Sequence, residues 1–153
     1  MQTLLAIDPS KANLGWATFI DGNLVKVGSE SFKQHKTLTE FLHAYRTWFK
    51  KAVTGTHVVA YEEAKPRNMR HAEIHYGMLA IMHLEIEHAT LIPIGWSTAK
   101  KRLAGNGHAT KQDMLDAAIR EYPTVGIDSH DQADAVAIGL SCLDVLNGNI
   151  TPF

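Results

Sequence analysis

Two short apolar runs, each ending at an acidic residue, constrain the fold more than any other feature of the sequence. One is Thr3–Asp8 and the other covers residues 57–62, ending at Glu62. Apolar residues at successive positions are typical of strands that are buried on both faces in the middle of a sheet. If these two strands are parallel neighbours, Asp8 and Glu62 emerge side by side at one edge. The pattern therefore predicts an α/β fold with acidic groups at the ends of its central strands.

Turn residues and hydrophobic periodicity divide the rest of the chain into strands and helices. Asp21-Gly22 predicts a tight hairpin between strands Leu14–Ile20 and 24–32, which makes the first three strands antiparallel. The remaining predicted elements are, in order, a helix from about Thr37 to Thr54, strand 57–61, a basic loop at 65–71, a long helix to about His88, strand 91–94, helix 96–103, and helices beginning at Thr110 and at Asp128 or Ser129. This order predicts a mixed five-stranded sheet, three antiparallel strands and then two parallel ones, with helices on both faces.

Composition limits the class of protein. The chain has 153 residues, of which 45% are hydrophobic, and a formal net charge of −1. We therefore expect a single globular domain covering residues 1–153 rather than a disordered chain. Without an overall basic charge, a nucleic-acid partner would have to bind to local basic patches. No apolar run approaches the length of a membrane span and no signal peptide is evident, so we expect a cytoplasmic protein without a membrane partner.

A second pair of acids, Asp131 and Asp134, lies at the start of the last predicted helix. Residues three apart on a helix share one face, so two carboxylates there repel unless a positive group lies between them. The alternative, that they only complement the helix dipole, fits this segment equally well when it is taken alone. Together with Asp8 and Glu62 they would form an all-oxygen site, which suits Mg²⁺ or Mn²⁺ and not zinc. Two such ions at one site are the arrangement used for phosphodiester hydrolysis.

Basic residues follow Glu62 directly along the chain. Lys65, Arg67 and Arg70 fall within six positions, which favours contact with phosphates over a merely solvated loop. Lys100 and Lys101 form a second basic group on a short predicted helix. The sequence therefore predicts that Lys65, Arg67 and Arg70 bind a nucleic-acid backbone, with Lys100 and Lys101 as further candidates.

Four other titratable residues near the acids have competing interpretations. His71 and His75 have the spacing of half a zinc site, but no third ligand is spaced to complete one, so an exposed or DNA-facing pair is the better prediction. His130 adjoins Asp131 but projects elsewhere from a helix, so a catalytic contact is the less favoured interpretation. Glu63 points to the opposite face from its neighbour in an extended strand, which favours a solvated role.

The long helix after the basic loop is too apolar to face water. Gly77 in its middle costs about 1 kcal/mol relative to alanine, which indicates a close approach to another helix. We predict that this helix packs against its counterpart in a second copy of the chain about a two-fold axis. The predicted interface residues are Ile74, Gly77, Met78, Ile81 and Met82.

Five sequence motifs, taken in order, resemble those of the RuvC family of Holliday junction resolvases in the ribonuclease H-like superfamily. They are Ala6-Ile7-Asp8-Pro9 with Gly15, Tyr61-Glu62, Gly77, Gly105-Asn106-Gly107-His108-Ala109-Thr110-Lys111, and Asp131-Gln132-Ala133-Asp134-Ala135-Val136-Ala137-Ile138. Each motif alone is weak, whereas all of them in the right order at the right spacing are specific. Ser10 departs from the pattern, since a glycine is common there. The small size resembles the versions of this family found in phages.

The resemblance implies an activity and roles for individual residues. The expected protein is a homodimer that binds four-way DNA junctions and nicks two opposed strands with Mg²⁺. Its metal ligands would be Asp8, Glu62, Asp131 and Asp134. Lys111 would lie near the scissile phosphate, with Lys100 as a second basic contact. Lys65 stands where bacterial members often carry an aromatic wedge, so we expect recognition of branched backbone geometry, including forks, with weak sequence preference.

Two other functions fit the same pattern. A different nuclease of this fold, acting in RNA processing or on forks and flaps, would use the same acids. A nucleotide-binding module of the actin and sugar-kinase fold also begins with a strand that ends in Asp and a hairpin, although a second phosphate loop is missing here. From the residues alone, without the resemblance, the prediction stops at a metal-dependent enzyme of phosphoryl transfer.

Overall fold

The computed structural model describes residues 1–63 and 65–153, which build one mixed five-stranded sheet flanked by helices. The strands are β1 Thr3–Asp8, β2 Leu14–Ile20, β3 Asn23–Glu30, β4 Val58–Glu62 and β5 Thr90–Ile94. They lie in the order β3-β2-β1-β4-β5, in which β1 pairs antiparallel with β2 and parallel with β4. The pairing of β2 with β3 is antiparallel and that of β4 with β5 is parallel. The predicted sheet is confirmed, and β1 is its central strand.

Helices cover both faces of the sheet. Their bounds are α1 Leu38–Ala52, α2 Met69–Glu85, α3 Trp96–Ala104, α4 Lys111–Glu121 and α5 His130–Leu146. One face packs against α1 and α2, and the other packs against α5, on which α3 and α4 lie in turn. None of the helices in the described part of the chain is long and apolar enough to cross a membrane.

The central position of α5 explains why its sequence departs from a simple amphipathic stripe. All of its residues from 132 to 142 are buried, because the sheet covers one side and α3 and α4 cover the other. The aromatic ring of Phe19 on β2 lies so close to Gly139 that any side chain there would collide with it. The helix therefore lies directly on the sheet.

Two of the element boundaries that differ from the prediction affect how the site is built. Strand β3 ends at Glu30, and Phe32 instead packs its ring 5.6 Å from that of Phe41 on α1. Helix α2 begins at Met69 rather than after residue 71, because the side chain of Asn68 accepts a hydrogen bond from the His71 N–H at 3.0 Å and caps the helix. Arg70 and His71 are thus helical residues and not part of the loop.

Most of the residues predicted to form a dimer interface on α2 are not on the surface of the chain. A Cβ at Gly77 would lie 2.8 Å from a methyl carbon of Leu42, so the close approach that this glycine permits is to α1 of the same chain. Met78, Ile81 and Met82 are buried in the core beneath α2, and Ile74 packs against the same core. The apolar character of α2 is therefore explained mainly by burial within one chain.

Candidate active site

Two acids meet where β1 and β4 end. The parallel register places Ile7 opposite Tyr61, so Asp8 and Glu62 follow side by side. Ile7 and Tyr61 point into the core beneath α1 and α2, and because side chains alternate along a strand, both acids point to the face covered by α5. The predicted convergence of Asp8 and Glu62 agrees with this geometry. Glu63 is exposed, as predicted.

The first turn of α5 adds two more acids to this edge. Ser129 is the N-cap, and its hydroxyl accepts a hydrogen bond from the Gln132 N–H at 3.2 Å. Asp131 and Asp134 each place a carboxylate oxygen in a group with one from Asp8, all within 4.8 Å of one another. A side chain at Gly15 on β2 would collide with the Asp131 carbonyl group, so glycine permits this approach.

Crowding and burial raise the pKa values of two of these carboxyl groups. Burial, followed by the charge of Glu62, raises the pKa of Asp8 well above its usual value. Burial also raises the pKa of Asp134 to about 7, while the positive charge of Lys111 acts in the opposite direction. One oxygen of Asp134, Oδ1, is buried without a hydrogen-bond partner among the described residues. A buried, unpaired oxygen in a group of acidic side chains is chemically suited to a hard divalent cation.

Lysines border the cluster on the side of α3 and α4. The charges of Lys111 and, more weakly, Lys100 lower the pKa of Asp134, which places both ammonium groups near the acids. Lys111 is the first residue of α4, which Thr110 and Asp113 cap reciprocally. The Nζ atom of Lys100 lies 5.3 Å from the centre of the Trp96 ring. Lys101 is exposed on the same helix.

A cleft of about 560 Å³ opens beside Glu62. Lys65 and Arg67 line it, as the sequence predicted that they would lie near the site. Arg70 does not line this cleft; it lines a neighbouring hollow of about 210 Å³ together with Lys36. The two hollows adjoin, since Lys11 and Ile74 line both of them.

The cleft also contains two residues that sequence reasoning missed, Lys11 and Trp96. His71 and His75 line it as well. Of the histidine pair predicted to be exposed or DNA-facing, His71 is exposed, whereas His75 is only 9% exposed. In the described part of the chain neither histidine joins a group of three possible metal ligands. A weak sequence signal existed for Lys11, since it follows Asp8 by three positions in the turn after β1.

Comparison with known proteins extends the resemblance. The chain is 27% identical over 162 residues to a crossover junction endodeoxyribonuclease RuvC from Rickettsia bellii, covering 94% of this chain and 98% of that protein. It superposes on Thermus thermophilus RuvC in complex with a Holliday junction substrate with a TM-score of 0.81, at 19% identity and over 100% of both chains. This chain is similar to RuvC along its whole length. The resemblance inferred from the five motifs is thereby confirmed.

The RuvC fold is also found in a more distant resolvase. The Holliday junction resolvase of fowlpox virus matches with a TM-score of 0.56 at 15% identity, covering 95% of this chain and 99% of that one. No protein-family model matches the chain. Relationship to RuvC thus rests on similarity along the whole chain and on the shared fold.

Proposed function

We propose that this chain is a metal-dependent endonuclease that resolves Holliday junctions and cuts other branched DNA by phosphodiester hydrolysis. The observation that carries the proposal is the group of three aspartates, the buried Asp8 and Asp134 and the half-buried Asp131, where the central strand meets the start of α5. Their mutual repulsion costs stability unless a cation offsets it, so a purely structural role is disfavoured. The nuclease domain covers residues 1–153 and acts in the cytoplasm, where a bacterial or phage-infected cell holds its DNA.

The acids are proposed to hold Mg²⁺, with Mn²⁺ as a substitute and two ions per site. The ligands would be Asp8, Glu62, Asp131 and Asp134. Divalent cations bound there would supply an activated water and stabilise the leaving oxygen. The buried, unpaired Oδ1 of Asp134 supports a metal within the cluster.

The chain's basic side chains are proposed to hold the DNA backbone on both sides of the acids. Lys65 and Arg67 would bind phosphates in the cleft, and Lys100, Lys101 and Lys111 would bind them on the side of α3 and α4. Lys111 has the further proposed role of stabilising the charge that develops on the scissile phosphate, since it lies near Asp134. Arg70 would contact DNA farther from the cut.

A second copy of the chain is proposed to pack against the solvent-facing side of α2. Tyr76 is 57% exposed and Leu84 is 79% exposed on this helix, and Leu84 borders a groove of about 480 Å³ between α1 and α2. These two residues are eight apart, so they lie on one face of α2. A pair of active sites related by a two-fold axis would allow paired nicks in opposed strands.

A cleavage assay on branched DNA tests the proposal. An end-labelled four-way junction is incubated with the protein in Mg²⁺, Mn²⁺, Ca²⁺ or EDTA and analysed on a denaturing gel. Discrete incision in Mg²⁺ and Mn²⁺, absent in EDTA, is the expected result. Linear and branched RNA of the same sequence run in parallel, because cleavage of RNA in preference to DNA would favour an RNA-processing nuclease. Binding of nucleotide without any cleavage would favour the nucleotide-binding alternative.

A further inference from the structure

We propose that the cleft beside Glu62 holds one unpaired nucleobase of the DNA strand that is cut, with His75 as the side chain that hydrogen-bonds to its edge. The proposal rests on the nuclease function proposed above and names the part of the substrate that enters this cleft. The juxtaposition that carries it is a buried imidazole and an apolar floor next to a residue of the acidic cluster.

The cleft has the size and lining of a site for a flat, partly apolar group. Its volume of about 560 Å³ falls in the usual range of small-molecule sites, roughly 300 to 1,000 Å³, and is far too small to admit a duplex. Met78 forms a buried part of its floor, and Ile74 and Trp96 add apolar surface. A phosphate would gain nothing from such surface, whereas a base that has left its stack would be shielded from water by it.

His75 provides a reason to expect a polar ligand there. It is 91% buried as a residue and lines the cleft, and among the described residues no side chain or backbone group forms a hydrogen bond with its ring. Buried polar side chains are normally hydrogen-bonded, so an unpartnered one that lines a cleft points to a ligand. A neutral imidazole offers one donor and one acceptor, which matches the edge of a nucleobase.

The positively charged side chains at the cleft suit the phosphates of an inserted nucleotide, whereas His75 suits its base. Lys11, Lys65 and Arg67 also line it, and their positive groups suit the phosphates on either side of an inserted nucleotide. Glu62 lies at the same cleft, so the inserted nucleotide would be close to the phosphate that is cut. Because lysine and arginine bind phosphates of any sequence, His75 would determine whatever sequence preference the enzyme has.

Fluorescence of 2-aminopurine tests base insertion without cleavage. The base analogue is placed in turn at each position around the mapped cut site of a four-way junction, and the protein is added in EDTA. We expect a several-fold rise in fluorescence at one position, because the analogue brightens when it leaves the stack. An abasic nucleotide at that position should weaken binding by wild-type protein about tenfold, since the cleft would lose its ligand.

Two matched variants test the role of His75. His75→Phe keeps a ring of similar shape but removes the hydrogen-bonding atoms, and we expect it to lose most of the sequence preference around the cut while still binding junctions. His43→Phe makes the same change at an exposed position of α1 and should behave like wild type. Equal preference in all three proteins would overturn the role of His75, and the abasic substrate tests the cleft even where His75→Phe fails to fold.

The outcomes distinguish this proposal from the nuclease function. The protein could cut junctions while 2-aminopurine fluorescence does not rise at any position and the abasic substrate binds normally. In that case no base enters the cleft, so this proposal is wrong while the nuclease function stands. If the protein neither binds nor cuts branched DNA, the nuclease function itself is wrong and this proposal falls with it.

Discussion

The side-chain amide of Gln132 donates a hydrogen bond to the hydroxyl of Ser29, 3.3 Å away, and thereby ties the first turn of α5 to strand β3. The amide oxygen of the same Gln132 accepts a hydrogen bond from the Asp128 N–H at 2.9 Å. Gln132 is buried and lies between Asp131 and Asp134 in sequence. The two hydrogen bonds therefore hold the helix end that carries two acids against the repulsion of Asp8.

Loss of this amide is expected to weaken metal binding more than it weakens the fold. Gln132→Met keeps the volume but removes both hydrogen bonds, and residues that orient metal ligands typically cost about 10- to 100-fold in metal affinity when they are changed. The measurement is the Mn²⁺ concentration that gives half of the maximal thermal stabilisation. Gln112→Met is the control, since Gln112 hydrogen-bonds to Asp116 on the exposed side of α4. Equal Mn²⁺ dependence in both variants would show that Gln132 does not position the acids.

Stability of the metal-free protein is expected to fall as the pH rises. The pKa of Asp134 is about 7 in the folded protein and 3.8 in a free peptide, so the folded state holds an extra proton between these values. Stability is then fully present below about pH 4 and is lost as the pH rises through about 7. Each unit of pKa difference corresponds to about 1.4 kcal/mol, so a loss of a few kcal/mol is expected.

Urea unfolding in EDTA at pH 5 and pH 8 measures this loss. Asp134→Asn should show less of it than wild type, whereas Asp116→Asn, at an exposed position, should show all of it. Mg²⁺ should restore stability at pH 8, because a bound cation replaces the proton. A wild-type protein that is more stable at pH 8 than at pH 5 in EDTA would contradict the raised pKa values.

Much of the fold could be predicted from local patterns. Strand β1 is a continuous apolar run, the hairpin after β2 is marked by Asp21-Gly22, and Thr110 caps α4 as the sequence indicated. These features depend on neighbouring residues, so a single sequence contains them. The three aspartates could be predicted for a related reason, because the sequence indicates the end of a strand at Asp8 and the start of a helix at Asp131 and Asp134.

The rest depends on contacts between distant segments. The close approach at Gly77 was predicted, but only the packing of α2 on α1 reveals that Leu42 is the partner. The burial of His75 and the position of Arg70 in the neighbouring hollow depend on the direction in which α2 leaves its cap. The bond between Gln132 and Ser29 joins residues 103 positions apart, which no local pattern signals.

Phosphate binding next to β4 is expected to depend mainly on Lys65 and Arg67 and less on Arg70. The double variant Lys65→Ala with Arg67→Ala should weaken binding to four-way junctions, three-way junctions and forks alike. Each lost phosphate contact should flatten the dependence of log K on log salt by about 1. Arg70→Ala should have a smaller effect, because Arg70 lines a different hollow. Fluorescence anisotropy at several salt concentrations measures both quantities, and selective loss of one DNA sequence would contradict backbone recognition.

Assembly is expected to depend on the outer face of α2. Leu84→Glu should convert a dimer into monomers that still nick DNA but lose paired incision, as measured by light scattering and by a plasmid-borne junction. Leu146→Glu changes an exposed leucine at the end of α5 and should remain dimeric. Gly77→Leu should instead destabilise the fold, because its side chain collides with Leu42. A wild-type mass of one chain at micromolar concentration would contradict the proposed dimer.

Cleavage and binding by Asp8→Asn, measured in the same samples as wild type, test the central claim most directly. Asp8 is the buried acid at the end of the central strand, and Asn keeps its shape while removing the charge. The variant should lose junction cleavage in Mg²⁺ completely, yet bind the junction as tightly as wild type or more tightly, because a charge that repels phosphate is gone. Appreciable cleavage by Asp8→Asn, with junction binding intact, would contradict the assignment of this acidic cluster as the catalytic site.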